Sequence, residues 1–316
     1  MKNIKSKVGV CSRSFSRSPE LRQKLLHRYA NVKFNESGET LNQDSLVEFL
    51  KDCDKAIIAL EKIDKRILND LPKLKVISKY GVGLDMLDLD AINQRGILLG
   101  WKGGLNARSV SELVISNVIN LLRHISSSNK NVINGGWKQF VGSQLSGKTF
   151  GIIGCGHVGK DLIKLLQPFN CKVLVNDIRS DNVNFYEEYN VTELDIEELL
   201  AISDIISIHT PLDNSTKNIL NKSRLNLIKK NSVLINAARG GLVDEVALFE
   251  FLRDKKFYAA FDVLHDEPPV NFNLLNLDNF IVTPHIGGSA IEAINAMGES
   301  AIIGLDHNSL IQDHSF

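Results

Sequence analysis

The chain has 316 residues, of which 43% are hydrophobic and 23% are charged, a composition typical of globular proteins and a length sufficient for two domains. Its 37 basic and 37 acidic side chains cancel, so no overall charge favours nucleic acid or an anionic membrane as a partner. Any affinity for anions must therefore arise locally.

The four cysteines lack metal-ligand spacing, and we predict no metal site. Their strand-like or helical surroundings indicate reduced thiols in a cytosolic protein, and the sequence leaves a long-range disulfide open. The amino-terminal segment has no secretory apolar region, and no apolar stretch approaches the roughly 20 residues that span a bilayer. These features predict a cytoplasmic protein.

The first part of the chain alternates short apolar runs with amphipathic segments. This pattern predicts βαβα units around a parallel sheet that is covered on both faces. The predicted strands are residues 8–11, 32–34, 56–60, 75–78 and 97–99. Helices are predicted between them, including one that opens with Pro19. We interpret this part as a small flavodoxin-like domain.

A second βαβ series follows a long amphipathic helix predicted over residues 109–125. Its predicted strands are residues 149–153, 172–175, 205–208, 233–236, 259–262 and 280–282. Six strands with intervening helices amount to a complete doubly wound dinucleotide-binding domain. Residues 289–310 read as a helix without a strand partner, which we expect to cross back and pack on the first domain.

The predicted fold is therefore α/β, with two doubly wound parallel-sheet domains. A Rossmann NAD-binding domain, residues 106–288, is inserted into a discontinuous flavodoxin-like substrate domain, residues 1–105 and 289–316.

A glycine-rich turn with the sequence GCGHVG, residues 154–159, follows an apolar strand and opens a helix. This context makes the G-x-G-x-x-G pattern indicative of dinucleotide binding, since a diphosphate can bind the N–H groups at the start of the helix. Gly154 allows the tight turn, Gly156 admits the diphosphate, and Gly159 permits close packing. Asp177 ends the next strand and favours NAD over NADP, while nearby Arg179 leaves that preference open.

Arg239, Glu267 and His285 follow three successive predicted strands. Because an open α/β sheet places its ligands at the carboxyl ends of its strands, all three can reach one crevice. A fixed cation and a carboxylate–imidazole pair beside a dinucleotide can move a hydride to or from a carbon next to a carboxylate. The alternative is a structural Glu–Arg pair with a capping histidine.

The motifs resemble, in order and spacing, the D-isomer-specific 2-hydroxyacid dehydrogenase family, in a phosphoglycerate dehydrogenase-like form that lacks the C-terminal regulatory domain. The resemblance covers essentially the whole chain. It rests on residues 151–159, 207–212, 236–244, 262–268 and 283–288. It implies that Arg239 binds the substrate carboxylate and polarises the 2-carbonyl, and that His285 exchanges a proton with the carbonyl oxygen. Glu267 orients the imidazole, so the pKa of His285 is expected to rise.

The resemblance also implies ligand contacts in both domains. The cofactor residues are Gly154, Gly156, His157, Val158, Gly159, Asp177, His209, Thr210, Pro211, Ala237, Ala238, Asp262, Gly287 and Gly288. The substrate residues are Lys79, Tyr80, Gly81, Val82, Gly83, Arg13 and Arg239. Asp262 is expected at the nicotinamide end of the cofactor. His157 stands where the family usually has arginine, which weakens a positive contact to the diphosphate unless the imidazole donates. Neither His209 nor His265 is expected to do acid–base work.

Arg13 and Lys79 each follow a predicted strand, so we expect both to face the substrate cleft. Two cations in addition to Arg239 favour a substrate with a second anionic group. Lys79 falls where phosphoglycerate dehydrogenases carry a cation, which makes 3-phosphoglycerate the leading candidate. The alternative is that these cations pair with Glu61 or another acid.

Two other functions remain open at this point. One is a co-repressor-like protein that binds NAD(H) without turnover, although binding alone requires no acid–base pair. The other is a phosphite- or formate-oxidising relative, of which the formate enzymes lack the glutamate partner of the histidine. The resemblance further implies a homodimer formed through the NAD-binding domains, with the segment around Trp137 taking part. Domain closure near residues 100–108 and 288–291 is expected to exclude water.

Overall fold

Two units, each built around its own parallel sheet, make up the computed structural model, which describes residues 2–179, 181–270 and 272–314. Unit 1 comprises Met1–Asn106 and Ile291–Phe316, and unit 2 comprises Ala107–Ala290. The predicted fold class, two doubly wound α/β domains with one inserted in the other, is confirmed.

Unit 1 contains a five-stranded sheet with the order β2-β1-β3-β4-β5, the flavodoxin-like arrangement. Its strands are β1 (Asn3–Val10), β2 (Tyr29–Phe34), β3 (Lys55–Ile58), β4 (Val76–Lys79) and β5 (Leu98–Gly100). Its first five helices are α1 (Arg13–Arg17), α2 (Pro19–Arg28), α3 (Gln43–Leu50), α4 (Lys65–Asn69) and α5 (Leu89–Gln94). Strands β3 and β4 are buried along nearly their whole length because helices cover both faces of a parallel sheet.

Unit 2 contains a seven-stranded sheet with the order β12-β11-β10-β9-β6-β7-β8. Its strands are β6 (Thr149–Ile153), β7 (Lys172–Asn176), β8 (Thr192–Glu193), β9 (Ile205–Ile208), β10 (Val233–Asn236), β11 (Tyr258–Phe261) and β12 (Phe280–Val282). Its helices are α6 (Ala107–Arg123), α7 (Ile125–Ile133), α8 (His157–Leu166), α9 (Val183–Glu188), α10 (Ile196–Ile202), α11 (Lys222–Leu227) and α12 (Glu245–Arg253). The sequence predicts six strands here. It misses β8, an exposed edge strand of two residues that is too short to show a hydrophobic period.

The helix predicted over residues 109–125 corresponds to α6, which begins and ends two residues earlier. Helix α6 ends at Arg123, and His124 adopts a left-handed backbone with φ of 53° before α7 begins. A left-handed residue interrupts an α-helix, which explains the break. The apolar face of α6 packs in the core of unit 2, where Val114 and Val118 are fully buried.

The carboxy-terminal helix α13 (Ile291–Gly304) belongs to unit 1 and ends six residues earlier than the sequence predicts. Ser78 Oγ in β4 donates to Ala301 O at 2.7 Å. Helix α13 and β5 approach closely at Gly304 and Gly100, where a Cβ on Gly100 would lie 2.2 Å from Gly304 O. The helix therefore packs directly on the sheet of unit 1. In the described residues, none of the helices is both long enough and apolar enough to cross a membrane.

Candidate active site

Three neighbouring strands of unit 2 end at the same level, and each is followed by one of the predicted catalytic residues. Asn236 at the end of β10 pairs with Phe261 at the end of β11, and Phe261 pairs with Val282 at the end of β12. Arg239, Glu267 and His285 lie in the loops that follow. Parallel strands in register thus bring three loops to one edge of the sheet.

The imidazole of His285 is bonded to the carboxylate of Glu267, with 2.8 Å between Nδ1 and Oε2. The other carboxylate oxygen of Glu267 accepts a hydrogen bond from Leu264 N at 3.0 Å. The side chains of His285 and Glu267 are 48% and 40% exposed, so solvent or a ligand can reach them. Because Glu267 engages Nδ1, Nε2 is the ring nitrogen that can exchange a proton with a substrate.

The pair favours its charged form. The hydrogen bond to Glu267 raises the pKa of His285, and the charges of Glu267 and Asp262 add to that rise, while burial and Arg239 oppose it. Burial acts to raise the pKa of Glu267, but the hydrogen bond from His285 and the nearby positive charges outweigh it, so that this pKa is lowered. An imidazolium beside a carboxylate is the state expected of a proton donor.

Asp262 holds the turn that carries His285. Its buried carboxylate accepts hydrogen bonds from Thr283 Oγ1 at 2.6 Å, Ile286 N at 2.8 Å and Gly287 N at 2.7 Å. His285 itself has a φ of 54°, a left-handed conformation that is strained for a residue with a side chain. The network around Asp262 stabilises this conformation, a role that the sequence alone does not indicate.

Arg239 lies in a loop that is shaped by the side chain of Asn236. Asn236 Oδ1 accepts from Ala238 N at 3.1 Å, and Asn236 Nδ2 donates to Arg239 O at 2.8 Å. The half-buried guanidinium donates from Nη1 to Ala238 O at 2.7 Å. Its charge lowers the pKa of both His285 and Glu267, so the three groups share one electrostatic environment.

The glycine-rich turn lies between β6 and α8 of the same unit. Gly154 has a φ of 96°, and a Cβ there would approach the backbone carbon of His209 to 2.8 Å, so only glycine fits. Asp177 accepts hydrogen bonds from Cys155 N and from Arg179 N, the latter at 2.8 Å, and its side chain is 6% exposed. Asp177 therefore fixes the turn in addition to the ribose contact that the resemblance implies.

The residues around this turn fit a dinucleotide. Gly156 precedes α8 and has no side chain to cap it, so the N–H groups of the first helical turn can bind a diphosphate. Thr210 Oγ1 is buried and has no hydrogen-bond partner among the described residues. A buried hydroxyl without a partner costs about 1–3 kcal/mol, a penalty that a bound ligand removes.

The other predicted cofactor residues lie in the same unit. His157 is exposed at the first position of α8, Val158 is half-buried and Gly159 is buried. His209 Nε2 lies 2.9 Å from Ser207 Oγ, and burial lowers the pKa of His209 to about 4, which keeps this histidine neutral. Pro211 is exposed, and Ala237, Ala238 and Gly288 are half-buried.

Unit 1 carries the predicted substrate residues. Lys79 is the last residue of β4 and is 4% exposed, with Nζ donating to Ala59 O at 2.6 Å and to Tyr80 O at 3.4 Å. Glu61 is also buried and accepts from Ala59 N at 2.8 Å. The sequence predicts that Lys79 faces the substrate cleft, and this stays a prediction. Within unit 1 its ammonium bonds to the two backbone carbonyls of Ala59 and Tyr80.

The other substrate candidates have different surroundings. Arg13 is exposed at the first position of α1. The ring of Tyr80 packs edge-on against Phe15, with 5.6 Å between the ring centroids. Gly81 has a φ of 120°, and Val82 O accepts from Trp101 Nε1 at 2.9 Å. The half-buried Gly83 completes the loop.

All four cysteines are free thiols, as the sequence predicts. In the described part of the chain, no cluster of three or more histidine, cysteine, aspartate or glutamate side chains could hold a metal ion.

Sequence reasoning assigned no site role to Asn236, Thr283 or Glu245, all of which hold site loops. Asn236 gave a detectable signal, since asparagine after a strand commonly bonds to the backbone two residues on. For Thr283 and Glu245 no such local signal exists.

A Rossmann-type sheet with a glycine-rich turn, followed by an acid-backed histidine, defines the class of dinucleotide-dependent dehydrogenases. Residues 115–287 match the family model described as "D-isomer specific 2-hydroxyacid dehydrogenase, NAD binding domain". The chain belongs to the D-isomer-specific 2-hydroxyacid dehydrogenase family, and the predicted NAD-binding function of its second domain is confirmed.

Relatives with several substrates are similar to this chain. D-3-phosphoglycerate dehydrogenase of Methanocaldococcus jannaschii is 36% identical over 283 residues, which are 86% of this chain and 54% of that protein. Hydroxypyruvate reductase of Thermotoga maritima is 34% identical over 269 residues, 83% of this chain and 87% of that protein. The structure of D-lactate dehydrogenase from Aquifex aeolicus, complexed with NAD and lactic acid, has a TM-score of 0.82 at 25% identity, covering 95% of this chain and 93% of that one. The chain thus spans about half the length of the phosphoglycerate dehydrogenase.

Proposed function

We propose that this protein transfers a hydride between NAD(H) and the C2 atom of a D-2-hydroxy acid or 2-oxo acid. The observation that carries the proposal is the 2.8 Å hydrogen bond between His285 Nδ1 and Glu267 Oε2, at the sheet edge that also bears Arg239. NAD(H), when bound, supplies or accepts the hydride.

The residues of the chain supply the proton and the charge. During reduction of a 2-oxo acid, His285 Nε2 donates its proton to the carbonyl oxygen and the imidazole becomes neutral, while Glu267 stays ionised. Arg239 binds the carboxylate and polarises the carbonyl with its planar set of donors. In the oxidative direction, neutral His285 accepts the hydroxyl proton. Glu267 stabilises the imidazolium in both directions without itself exchanging a proton.

Two substrate classes fit the chain. The first is a substrate with a second anionic group, such as 3-phosphoglycerate, which is supported by Arg13, Lys79 and the similarity to phosphoglycerate dehydrogenases. The second is a small, uncharged-chain acid such as hydroxypyruvate or glyoxylate. It is favoured by the burial of Lys79, whose ammonium bonds to Ala59 O and Tyr80 O, and by the similarity to reductases of matching length.

The deciding experiment is a substrate panel. The purified protein is mixed with NADH or NADPH and phosphohydroxypyruvate, hydroxypyruvate, glyoxylate or pyruvate, and cofactor oxidation is followed by absorbance. Lys79→Ala is then compared with Lys73→Ala, a surface lysine of unit 1 whose side chain is 65% exposed. If Lys79 binds a phosphate, Lys79→Ala raises KM far more for phosphohydroxypyruvate than for the other acids. An equal rise for all four rejects the phosphate contact.

The same assay, run also with NAD and phosphite, tests the other functions. A co-repressor-like protein would bind NADH without oxidising it in the presence of any 2-oxo acid. A phosphite-type dehydrogenase would reduce NAD with phosphite and leave the 2-oxo acids unchanged. Either result contradicts the proposed reaction.

We also propose a homodimer formed through unit 2. Large apolar side chains of α7 and the following segment are exposed, with Ile133 at 74%, Trp137 at 83% and Val141 at 93%. Several large apolar side chains exposed within one short segment favour a protein interface there. Light scattering coupled to size exclusion should give twice the chain mass, and Trp137→Ser combined with Ile133→Asp should give the monomer mass. The cytoplasmic location stays a prediction, which cell fractionation can test.

A further inference from the structure

The backbone on the two sides of Leu264 is held from three directions. Leu264 N donates to Glu267 Oε1 at 3.0 Å, and His265 N donates to Glu245 Oε1 at 2.7 Å. On the third side lies Gly240, where a Cβ would be 1.9 Å from Leu264 O and 2.7 Å from His265 N. The two successive peptide groups that flank Leu264 therefore contact Glu267, Glu245 and the loop that carries Arg239.

Glu245 is anchored at the start of α12. Asp244 caps this helix, with Oδ1 accepting from Val246 N at 3.1 Å and Ala247 N at 3.0 Å. Leu248 and Leu252 on the same helix are fully buried in the core of unit 2. A carboxylate on the first turn of a buried helix is a fixed point, so its hydrogen bond limits where the Leu264–His265 peptide can lie.

We propose that Glu245 is a positioning residue for the reaction: by holding His265 N, it keeps Leu264 N directed at Glu267 and thereby keeps Glu267 bonded to His285. The proposal rests on the proposed function only for its effect on turnover. Glu245 acts on Glu267 through the two successive backbone amides of Leu264 and His265.

The charges that face Glu245 are consistent with a constrained carboxylate. Burial raises the pKa of Glu245, and the charges of Asp266 and Glu267 add to the rise, while the His265 N–H and the His265 charge oppose it. An unconstrained side chain would move toward water and away from Asp266 and Glu267. Its hydrogen bond to His265 N offsets that cost.

The test compares three variants. Glu245→Ala removes the acceptor, whereas Glu245→Gln keeps an oxygen that can accept from His265 N while losing the charge. Glu250→Ala is the matched control on the same helix, because Glu250 makes a surface ion pair with Lys222 at 2.6 Å. Each protein is assayed for kcat and KM against pH, and the pKa of His285 is measured by NMR titration of its imidazole.

We expect Glu245→Ala to lower kcat by roughly 10- to 100-fold, as misplacement of a catalytic group does, and to lower the pKa of His285. Glu245→Gln should restore most of kcat, and Glu250→Ala should match wild type. The proposal is overturned if Glu245→Ala leaves both quantities unchanged, or if Glu245→Gln is as defective as Glu245→Ala. Absence of turnover in the wild type would reject the proposed function instead, and the NMR titration would still decide the role of Glu245.

Discussion

The two units share one architecture but use the charged residues at their strand ends in opposite ways. In unit 2, Glu267 and Asp262 hold a histidine whose side chain remains 48% exposed. In unit 1, Lys79 and Glu61 are 4% and 2% exposed, and both bond to the backbone of Ala59.

This difference shows that the position at a strand end does not by itself make a residue reactive. The proposed proton donor, His285, is held by Glu267 on one side and is exposed to solvent on the other. Lys79, at the end of β4 in unit 1, instead bonds to the backbone carbonyls of Ala59 and Tyr80. The following predictions test that division of roles.

The largest effect should come from His285 itself. His285→Asn keeps a side chain that tolerates the left-handed backbone but removes the proton donor, so kcat should fall about 10²–10⁴-fold. The measurement is NADH oxidation with the best 2-oxo acid of the panel. His27→Asn, an exposed histidine of α2, is the control and should match wild type. Retention of more than about a tenth of the wild-type kcat would contradict the role of His285, because general acid–base catalysis contributes at least about 10²-fold.

The next effect is a shift in pH dependence. Glu267 raises the pKa of His285, so Glu267→Gln should lower it. Reduction needs the imidazolium, and its rate falls as the pH rises through this pKa; the falling limb should therefore move to lower pH in the variant. In the oxidative direction the rising limb should move the same way. A limb that stays in place would show that another group titrates.

The raised pKa of His285 also predicts how the free energy of unfolding depends on pH. Because the folded-state pKa of His285 is raised, its contribution to the free energy of unfolding is complete below the unfolded pKa and is lost as the pH rises through the folded one. Glu267→Gln should flatten that dependence. Denaturant titrations at several pH values measure it.

A smaller effect is expected from the network below His285. Asp262→Asn replaces one accepting oxygen by an N–H group that faces the donors of the turn, and losing a hydrogen bond to a charged group costs about 1.5–3 kcal/mol. The free energy of unfolding should fall by that amount and kcat should fall with it, since the turn carries His285. Unchanged stability would show that the turn holds its shape without Asp262.

The sequence predicts that Arg239, Glu267 and His285 lie at one edge of the sheet. Each of them follows a strand, and parallel strands in register end at the same edge. The surroundings of Lys79 are not predictable in this way, because they depend on the carbonyl of Ala59, which follows the neighbouring strand β3. The hydrogen bonds of Asp262 cannot be predicted from the sequence for the same reason, since its partners become neighbours only after the turn at His285 has formed. The break at His124 and the edge strand β8 give no periodic signal.

The smallest effect should come from a purely structural cluster in unit 1. Tyr29 is fully buried, and its hydroxyl donates to Asp306 Oδ1 and accepts from Lys55 Nζ at 3.0 Å. Lys55 Nζ also bonds to Asp306 Oδ1 at 3.0 Å, so β2 and β3 are joined to the segment after α13. Tyr29→Phe keeps the ring and leaves Lys55 and Asp306 paired, so the loss should be about 1 kcal/mol.

Denaturant unfolding followed by circular dichroism measures the loss, and a double-mutant cycle with Asp306→Ala isolates the hydroxyl–carboxylate pair. NADH binding, followed by fluorescence, should be unchanged because the cofactor residues lie in unit 2. A loss of NADH affinity as large as the loss of stability would contradict the division of roles between the units. A loss of stability well above about 3 kcal/mol would instead show that removing the hydroxyl leaves a buried charge without a hydrogen-bond partner. Only such a group carries the full desolvation penalty.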